Sequence, residues 1–249
     1  MSINTPEELE RMKAAGRIVR QMLNAMKGAA RSGITTAELD DIGADIMRKH
    51  GARSAPALVY GFPGVSCISV NDEIVHGIPG KRKLRDGDLL KLDVTIEKDG
   101  FMADAAESVV IGNGSQLGQR LAACAQRAFE CALSVARAGN RVYEIGRAVE
   151  AEVRRSGFFV IHQLCGHGIG RTIHEQPSVP NFADPQAKQI LTEGLVITIE
   201  PIIASLSSAA FLADDGWTMR TADRGLAAHH EHTLMITDGE PLLLTVAQS

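Results

Sequence analysis

Apolar positions recur at helical spacing from Pro6 to about Ala30, which predicts an amphipathic helix. Pro6 suits its first turn, and Glu7, Glu8 and Glu10 suit the positive end of its dipole. Thr35-Thr36-Ala37-Glu38 reads as a capping box that opens a second helix, and Gly51 stops it. A third helix is expected over about Gln116 to Ala138, with Leu121, Cys124, Ala128, Cys131 and Val135 on one stripe. The span Gly139–Gly157 parallels Gly33–Gly51 at an offset of 106, matching Glu38 with Glu144 and Leu39 with Ile145. Each helical pair precedes strand-like runs, so two like halves are expected to meet at a shared sheet.

The strand pattern is clearest at Lys91-Leu92-Asp93-Val94-Thr95-Ile96-Glu97-Lys98-Asp99-Gly100, where alternation runs into the strongest short signal for a two-residue hairpin loop. With Asp99-Gly100 as the loop, paired residue numbers sum to 199 and Thr95 faces Asp104. Asp93 and Asp104 then become diagonal neighbours on one face, roughly 7–8 Å apart at Cβ. Both carboxylates could reach ions about 3.5–4 Å from each other. Further on, three glycines within Gly166-His167-Gly168-Ile169-Gly170 exclude a stable helix and predict a tight, extended turn open to close backbone approach. Val196-Ile197-Thr198-Ile199 reads as a buried strand ending in Glu200, which Pro201 keeps out of the α region. Glu231 opens what the pattern predicts to be the last strand.

Composition narrows the class. The 249 residues are 45% hydrophobic, enough for a core, and show no linker, so one domain over residues 1–249 is expected. A net charge of −4 without a basic run gives nucleic-acid binding no electrostatic support. No apolar run approaches a membrane span, and the acidic start is unlike a signal peptide. Cys67, Cys124, Cys131 and Cys165 form no Cys-x-x-Cys pair, which suits reduced thiols in the cytoplasm, with Cys124 and Cys131 on one packed helical face.

Asp93, Asp104, His167, Glu200 and Glu231 are four carboxylates and an imidazole, each in a strand-like run or glycine turn. Such a set suits Mn, Fe(II), Co or Zn better than a thiolate-held structural zinc. Converging carboxylates raise each other's pKa and would not all stay ionised without cations. Two divalent ions would balance them, and the set points to a two-metal hydrolase.

The motifs Cys67-Ile-Ser-Val-Asn-Asp-Glu-Ile-Val-His76-Gly-Ile-Pro79, Asp93-Val-Thr95, Asp104, Gly166-His-Gly-Ile-Gly-Arg-Thr-Ile-His174-Glu, Thr198-Ile-Glu-Pro201, Asp215-Gly-Trp217-Thr and Glu231-His-Thr233 occur in this order over nearly the whole chain. In them the sequence closely resembles the type I methionine aminopeptidases. The resemblance implies an α+β, pita-bread (creatinase/aminopeptidase) fold: a pseudo-two-fold antiparallel sheet with flanking helices. It makes Asp93, Asp104, His167, Glu200 and Glu231 ligands of two divalent ions per chain (Co, Mn, Fe(II), Zn or Ni), and His76 and His174 the histidines that contact substrate. Three stretches depart from the family's usual pattern. Met102-Ala103-Asp104-Ala105-Ala106 stands where His-Gly-Asp-Thr-Ser is common. Ala228-His229-His230-Glu231 replaces Ala-Gln-aromatic-Glu, and the Tyr60–Ser66 loop is one residue shorter and lacks a histidine. Adjacent strand residues face opposite ways, so at most one of His229 and His230 can face the site.

The implied reaction is removal of N-terminal methionine from peptides and nascent proteins, with metal-activated hydroxide attacking the first peptide carbonyl. Glu200 is expected to shuttle the proton, His174 to stabilise the oxyanion and His76 to bond the scissile nitrogen. Phe62, Cys67, His76, Ile173 and Trp217 are the candidate pocket for an unbranched thioether. Partners are peptide and nascent-chain N-termini, with the ribosome a further partner the resemblance allows. A monomer is the family expectation. A proline-specific peptidase on the same fold, and a module that only binds peptides, are the rival readings.

Overall fold

The computed structural model of the protein describes residues 1–246. Its helices are α1 (Pro6–Ala29), α2 (Thr36–Lys49), α3 (Ala55–Tyr60), α4 (Gln116–Leu133) and α5 (Val142–Arg155). The strands of the first half are β1 (Arg53–Ser54), β2 (Cys67–Val70), β3 (Glu73–Val75), β4 (Leu89–Lys98) and β5 (Phe101–Val110). Those of the second are β6 (Phe159–Val160), β7 (Cys165–Gly168), β8 (Glu175–Pro180), β9 (Val196–Ile199), β10 (Ile202–Ala204), β11 (Ala210–Leu212), β12 (Met219–Thr221), β13 (Ala227–His229), β14 (Glu231–Met235) and β15 (Leu242–Leu243). The helices start as the chain dictates. Thr5 caps α1 ahead of Pro6, and Thr35 and Glu38 close the capping box of α2 from both sides.

Two stretches differ from expectation. Helix α4 stops at Leu133 rather than Ala138, because Val135 and Ala136 bond back three residues, to Ala132 and Leu133, and the Ser134 hydroxyl donates to the Cys131 carbonyl. Its buried stripe drifts with the 3.6-residue turn: Leu121, Cys124 and Ala128 are buried, but Ala132 and Ala136 take the places expected of Cys131 and Val135, which are partly exposed. Glu231 does open a strand, although the short β15 follows it.

A nine-stranded sheet runs β1-β4-β5-β14-β9-β7-β8, with β2 also on β4 and β15 on β14. The β4–β5 hairpin has the expected register: Lys98 pairs with Phe101 and Thr95 with Asp104. Its loop residues Asp99 and Gly100 both have positive φ, 49° and 84°, as a primed turn requires. The halves repeat in detail. The Gly33 amide bonds the Leu84 carbonyl and Leu84 bonds back to Ile34; Gly139, Leu191 and Asn140 do the same in the second half. Helices α2 and α5 both end before a left-handed glycine, Gly51 and Gly157.

Strand alternation then sorts side chains into layers. Leu92, Val94 and Ile96 face α1 and α2, together with Ala103 and Ala105. Ile197, Ile199 and Leu234 face α4 and α5. Asp93, Thr95, Asp104, Thr198 and Thr233 take the opposite face. Each half thus has its own apolar core on the helix side, and polar residues are concentrated on the other.

Glu107 of β5 anchors α1 to the sheet through Arg20 and Lys27. Burial works to raise its carboxyl, yet the two cations hold it down at about 2. A carboxylate depressed in the fold stabilises fully above its unfolded value of about 4.3 and loses that contribution as pH falls towards about 2. The stability gap between the wild type and Glu107→Gln should therefore narrow by about 2 kcal/mol between pH 7 and pH 3, measured by urea unfolding. Equal acid sensitivity in the two proteins would show that the pair contributes nothing.

Candidate active site

On the polar face, β2, β3, β4, β5, β7, β10, β13 and β14 and the loops beside them surround one cavity. It brings together every sequence-predicted site residue: Asp93, Asp104, His167, Glu200 and Glu231, with His76, His174, Phe62, Cys67, Ile173 and Trp217 around them. Asp93 and Asp104 arrive by the hairpin register, opposite Ala106 and Thr95. They lie close enough to share a hydrogen bond when one is protonated. Glu231 opens β14 opposite Ala106. Asp104, His167 and Glu231 form one three-residue group with ligand atoms within 4.8 Å of one another; Glu200, His229 and Glu231 form another. Glu231 is common to both.

The glycines of β7 act in the sheet before they act in a turn, contrary to the expectation of a turn throughout. A Cβ on Gly166 would lie 2.6 Å from the Thr198 carbonyl oxygen, and one on Gly168 2.2 Å from that of Gln176. Only bare backbone lets β8 and β9 close on His167 from both sides. The His167 amide donates to the Thr198 hydroxyl (3.0 Å), which itself donates to Glu200 Oε1 (2.8 Å). His167 Nδ1 lies 2.9 Å from the Gly168 carbonyl, which can only accept. Nδ1 therefore carries the proton, and the Nε2 lone pair faces Glu200 Oε1 at 3.5 Å.

The electrostatics are those of charge held against its will. Burial and neighbouring carboxylates push Asp93 and Glu231 well above the usual range. Burial, then Asp104, does the same to Glu200, and burial pushes Asp104 up to about 7. Burial pulls His167 down to about 4 and His229 to about 3, so both are neutral donors of a lone pair. Among the described residues, Asp104 Oδ1, Glu231 Oε1 and both nitrogens of His229 are buried polar atoms without a hydrogen-bond partner. Unpartnered acceptors, neutral imidazoles and crowded carboxyls are the requirements of a divalent cation.

Loops supply the rest. His76 holds a left-handed backbone (φ 58°), uncommon outside glycine, and its carbonyl accepts from the Thr218 hydroxyl. Asp215 accepts from the amides of Trp217 and Thr218, so the Asp-Gly-Trp-Thr turn sets the indole, which meets Phe62 edge-on at 5.2 Å. Sequence reasoning missed Tyr60, whose hydroxyl lies 2.6 Å from His174 Nδ1. Nothing in local spacing announces a partner 114 residues away. It also left the choice between two histidines open: His229 lines the cavity, whereas His230 packs its ring against Phe129 on the other side.

The model of metallopeptidase family M24 matches residues 10–238. Methionine aminopeptidase 2 of Bacillus subtilis is 45% identical over 98% of this chain and 99% of its own length. The methionine aminopeptidase of Escherichia coli is 38% identical over 99% of this chain and 94% of its own. The crystal structure of Thermotoga maritima methionine aminopeptidase superposes with a TM-score of 0.95 at 32% identity, covering 99% of this chain and all of that one. Prolidase from Pyrococcus furiosus, 21% identical with a TM-score of 0.79 over 66% of its chain, shares the fold alone. With the antiparallel pita-bread architecture and the clustered carboxylates and histidine already described, the chain belongs to metallopeptidase family M24, among the type I methionine aminopeptidases.

Proposed function

We propose that residues 1–249 act as one metallopeptidase domain that removes the N-terminal methionine of peptides and nascent proteins, using two divalent ions. The observation that carries this reading is the group of four carboxylates, three of them buried, and a lone-pair imidazole beside an apolar pocket. M24 membership brings divalent metal use. Asp93, Asp104, His167, Glu200 and Glu231 would hold the metal. When bound, such ions supply Lewis acidity and lower the pKa of water towards about 7.

The chain's own residues account for the remaining steps. Glu200, oriented by Thr198, takes a proton from the attacking water and returns it to the leaving amine. Burial lowers the pKa of His174 and favours its neutral ring, and its Nδ1 lies 2.6 Å from the Tyr60 hydroxyl, which in this reading is the donor. That leaves Nε2–H to bond the oxyanion as the peptide carbonyl turns tetrahedral. His76, locked by its backbone, bonds the scissile nitrogen. Phe62, Cys67, Ile173 and Trp217 take the methionine side chain, and burial and Asp93 keep the Cys67 thiol protonated, a small apolar wall rather than a nucleophile. Among the described residues no helix is long and apolar enough to cross a membrane. A cytoplasmic monomer meeting nascent chains at the ribosome fits this reading.

Metal removal should abolish release of methionine from a Met-Ala peptide, and Co or Mn add-back should restore it; an apo enzyme with full activity would end the proposal. Glu200→Gln or Asp104→Asn should lose more than about a hundredfold in kcat/KM while keeping the circular dichroism of the wild type. A variant retaining a tenth of the activity would show that its carboxylate is dispensable.

The histidines should separate by readout. His174→Ala should lower kcat on the order of 10²–10³-fold with metal content unchanged, and Tyr60→Phe should lower it less. His167→Ala should instead lower metal occupancy. Equal metal loss in His174→Ala and His167→Ala would reverse these roles.

Specificity follows from the pocket's unbranched slot. Methionine should be cleaved best and norleucine next. Leucine should be slow, since a methylene is worth about 1–3 kcal/mol. Valine and isoleucine should be rejected because branching at Cβ thickens the side chain at the mouth. The second residue should be small. A peptide panel varying both positions checks this, and preference for proline in second place would favour the proline-peptidase alternative.

A further inference from the structure

His229 has a place in the cavity that the hydrolytic scheme above does not use. Strand β13 pairs with β10 so that His229 lies opposite Ile202, two residues past Glu200, and two residues before Glu231 in its own chain. Its backbone is clamped to β5: the Ser108 hydroxyl donates to the His229 carbonyl (2.8 Å), and the His229 amide donates to the Ser108 oxygen (2.9 Å). The imidazole is 1% exposed and neither ring nitrogen has a hydrogen-bond partner. A buried histidine normally donates from one nitrogen to a carbonyl or carboxylate, as His167 does to Gly168. His229 instead points Nε2 between two carboxylates, 3.3 Å from Glu231 Oε2 and 3.9 Å from Glu200 Oε2, without hydrogen-bond geometry to either.

Those separations have a chemical meaning. Nitrogen and oxygen donors about 2.0–2.2 Å from one ion stand roughly 3–3.5 Å from each other. The two separations from His229 come within a fraction of an ångström of that spacing, and the ligand atoms of Glu200, His229 and Glu231 all lie within 4.8 Å of one another. The other group, Asp104–His167–Glu231, already contains one imidazole.

We propose that His229 is a further metal ligand, its Nε2 joining Glu200 and Glu231 on one ion, so that two imidazoles serve the two ions. The inference rests on the two-ion reading above. A second nitrogen donor softens the site, favouring Co, Fe(II) or Zn over Mn beyond what one imidazole would do.

Metal affinity alone does not test this, because losing a residue that only orients a ligand also costs about 10–100-fold. The discriminating quantity is the number of imidazoles bound per cobalt, read by X-ray absorption on protein loaded with two equivalents of Co²⁺. The wild type should show one imidazole per cobalt on average, His229→Gln and His167→Gln half that, and the double variant none. Calorimetric titration of the apo proteins with Co²⁺ should show one equivalent weakened at least tenfold in His229→Gln. Half an imidazole per cobalt in the wild type would overturn the proposal without recourse to any variant, as would an unchanged count in His229→Gln. A wild type that takes up only one Co²⁺, or none, would overturn the two-ion reading and this inference with it. Two bound ions with an unchanged imidazole count would overturn this inference alone.

Discussion

Four carboxyl groups packed into one cavity repel each other, and they are removed from the water that would screen them. Most of the site's construction answers that constraint. Thr198 spends its hydroxyl on Glu200 and its oxygen on the His167 amide, while Thr233 bonds both the amide and the carbonyl of Asp104. Asp104 Oδ1 and Glu231 Oε1 are left without a partner, and the residues grouped with Asp104 and Glu231 include the neutral imidazoles of His167 and His229 rather than cationic side chains. A lysine or arginine there would have quenched the field that a divalent ion needs. The family's use of divalent metal is thus written into what the cavity withholds as much as into what it contains.

Antiparallel pairing is what makes such a concentration possible. Because side chains alternate, the strands that present Leu92, Val94 and Ile96 to one helical pair must present Asp93 and Thr95 to the opposite face. The second half repeats the arrangement with Ile197 and Ile199 against Thr198. Each half secures its helices to its own apolar core, and the shared sheet lets polar residues from both meet without sacrificing either core. The turns are built alike: Gly33–Leu84 and Gly139–Leu191 are the same hydrogen bond in two halves.

Rigidity around the cavity comes from loops as well as strands. The left-handed backbone at His76, the Asp215 turn under Trp217 and the Tyr60 hydroxyl on His174 each fix one side chain that the sheet does not reach. A histidine's role here is set by what surrounds it. His167 has a carbonyl on Nδ1, His174 a phenol, and His229 two carboxylates and nothing to bond, whereas His230, its neighbour in sequence, rests on Phe129.

Local patterns determined a good deal by themselves. The capping box of α2, the primed turn at Asp99-Gly100 and the register that sets Asp93 diagonal to Asp104 follow from interactions between near neighbours, and the structure keeps all of them. The five carboxylate and imidazole candidates were legible because charged residues in apolar strands have few other uses. Helix α4 was misjudged at its end, since apolar spacing continues past the point where Ser134 and the following amides tighten the chain. Contacts over long sequence distances were decided only by the tertiary structure: Tyr60 reaching His174, β8 and β9 closing over Gly166 and Gly168, and His229 rather than His230 turning inward. The physical reason is the same in each case. Alternation states that adjacent residues point to opposite faces, but which face is the cavity depends on the partner strand, and that partner lies far away in sequence.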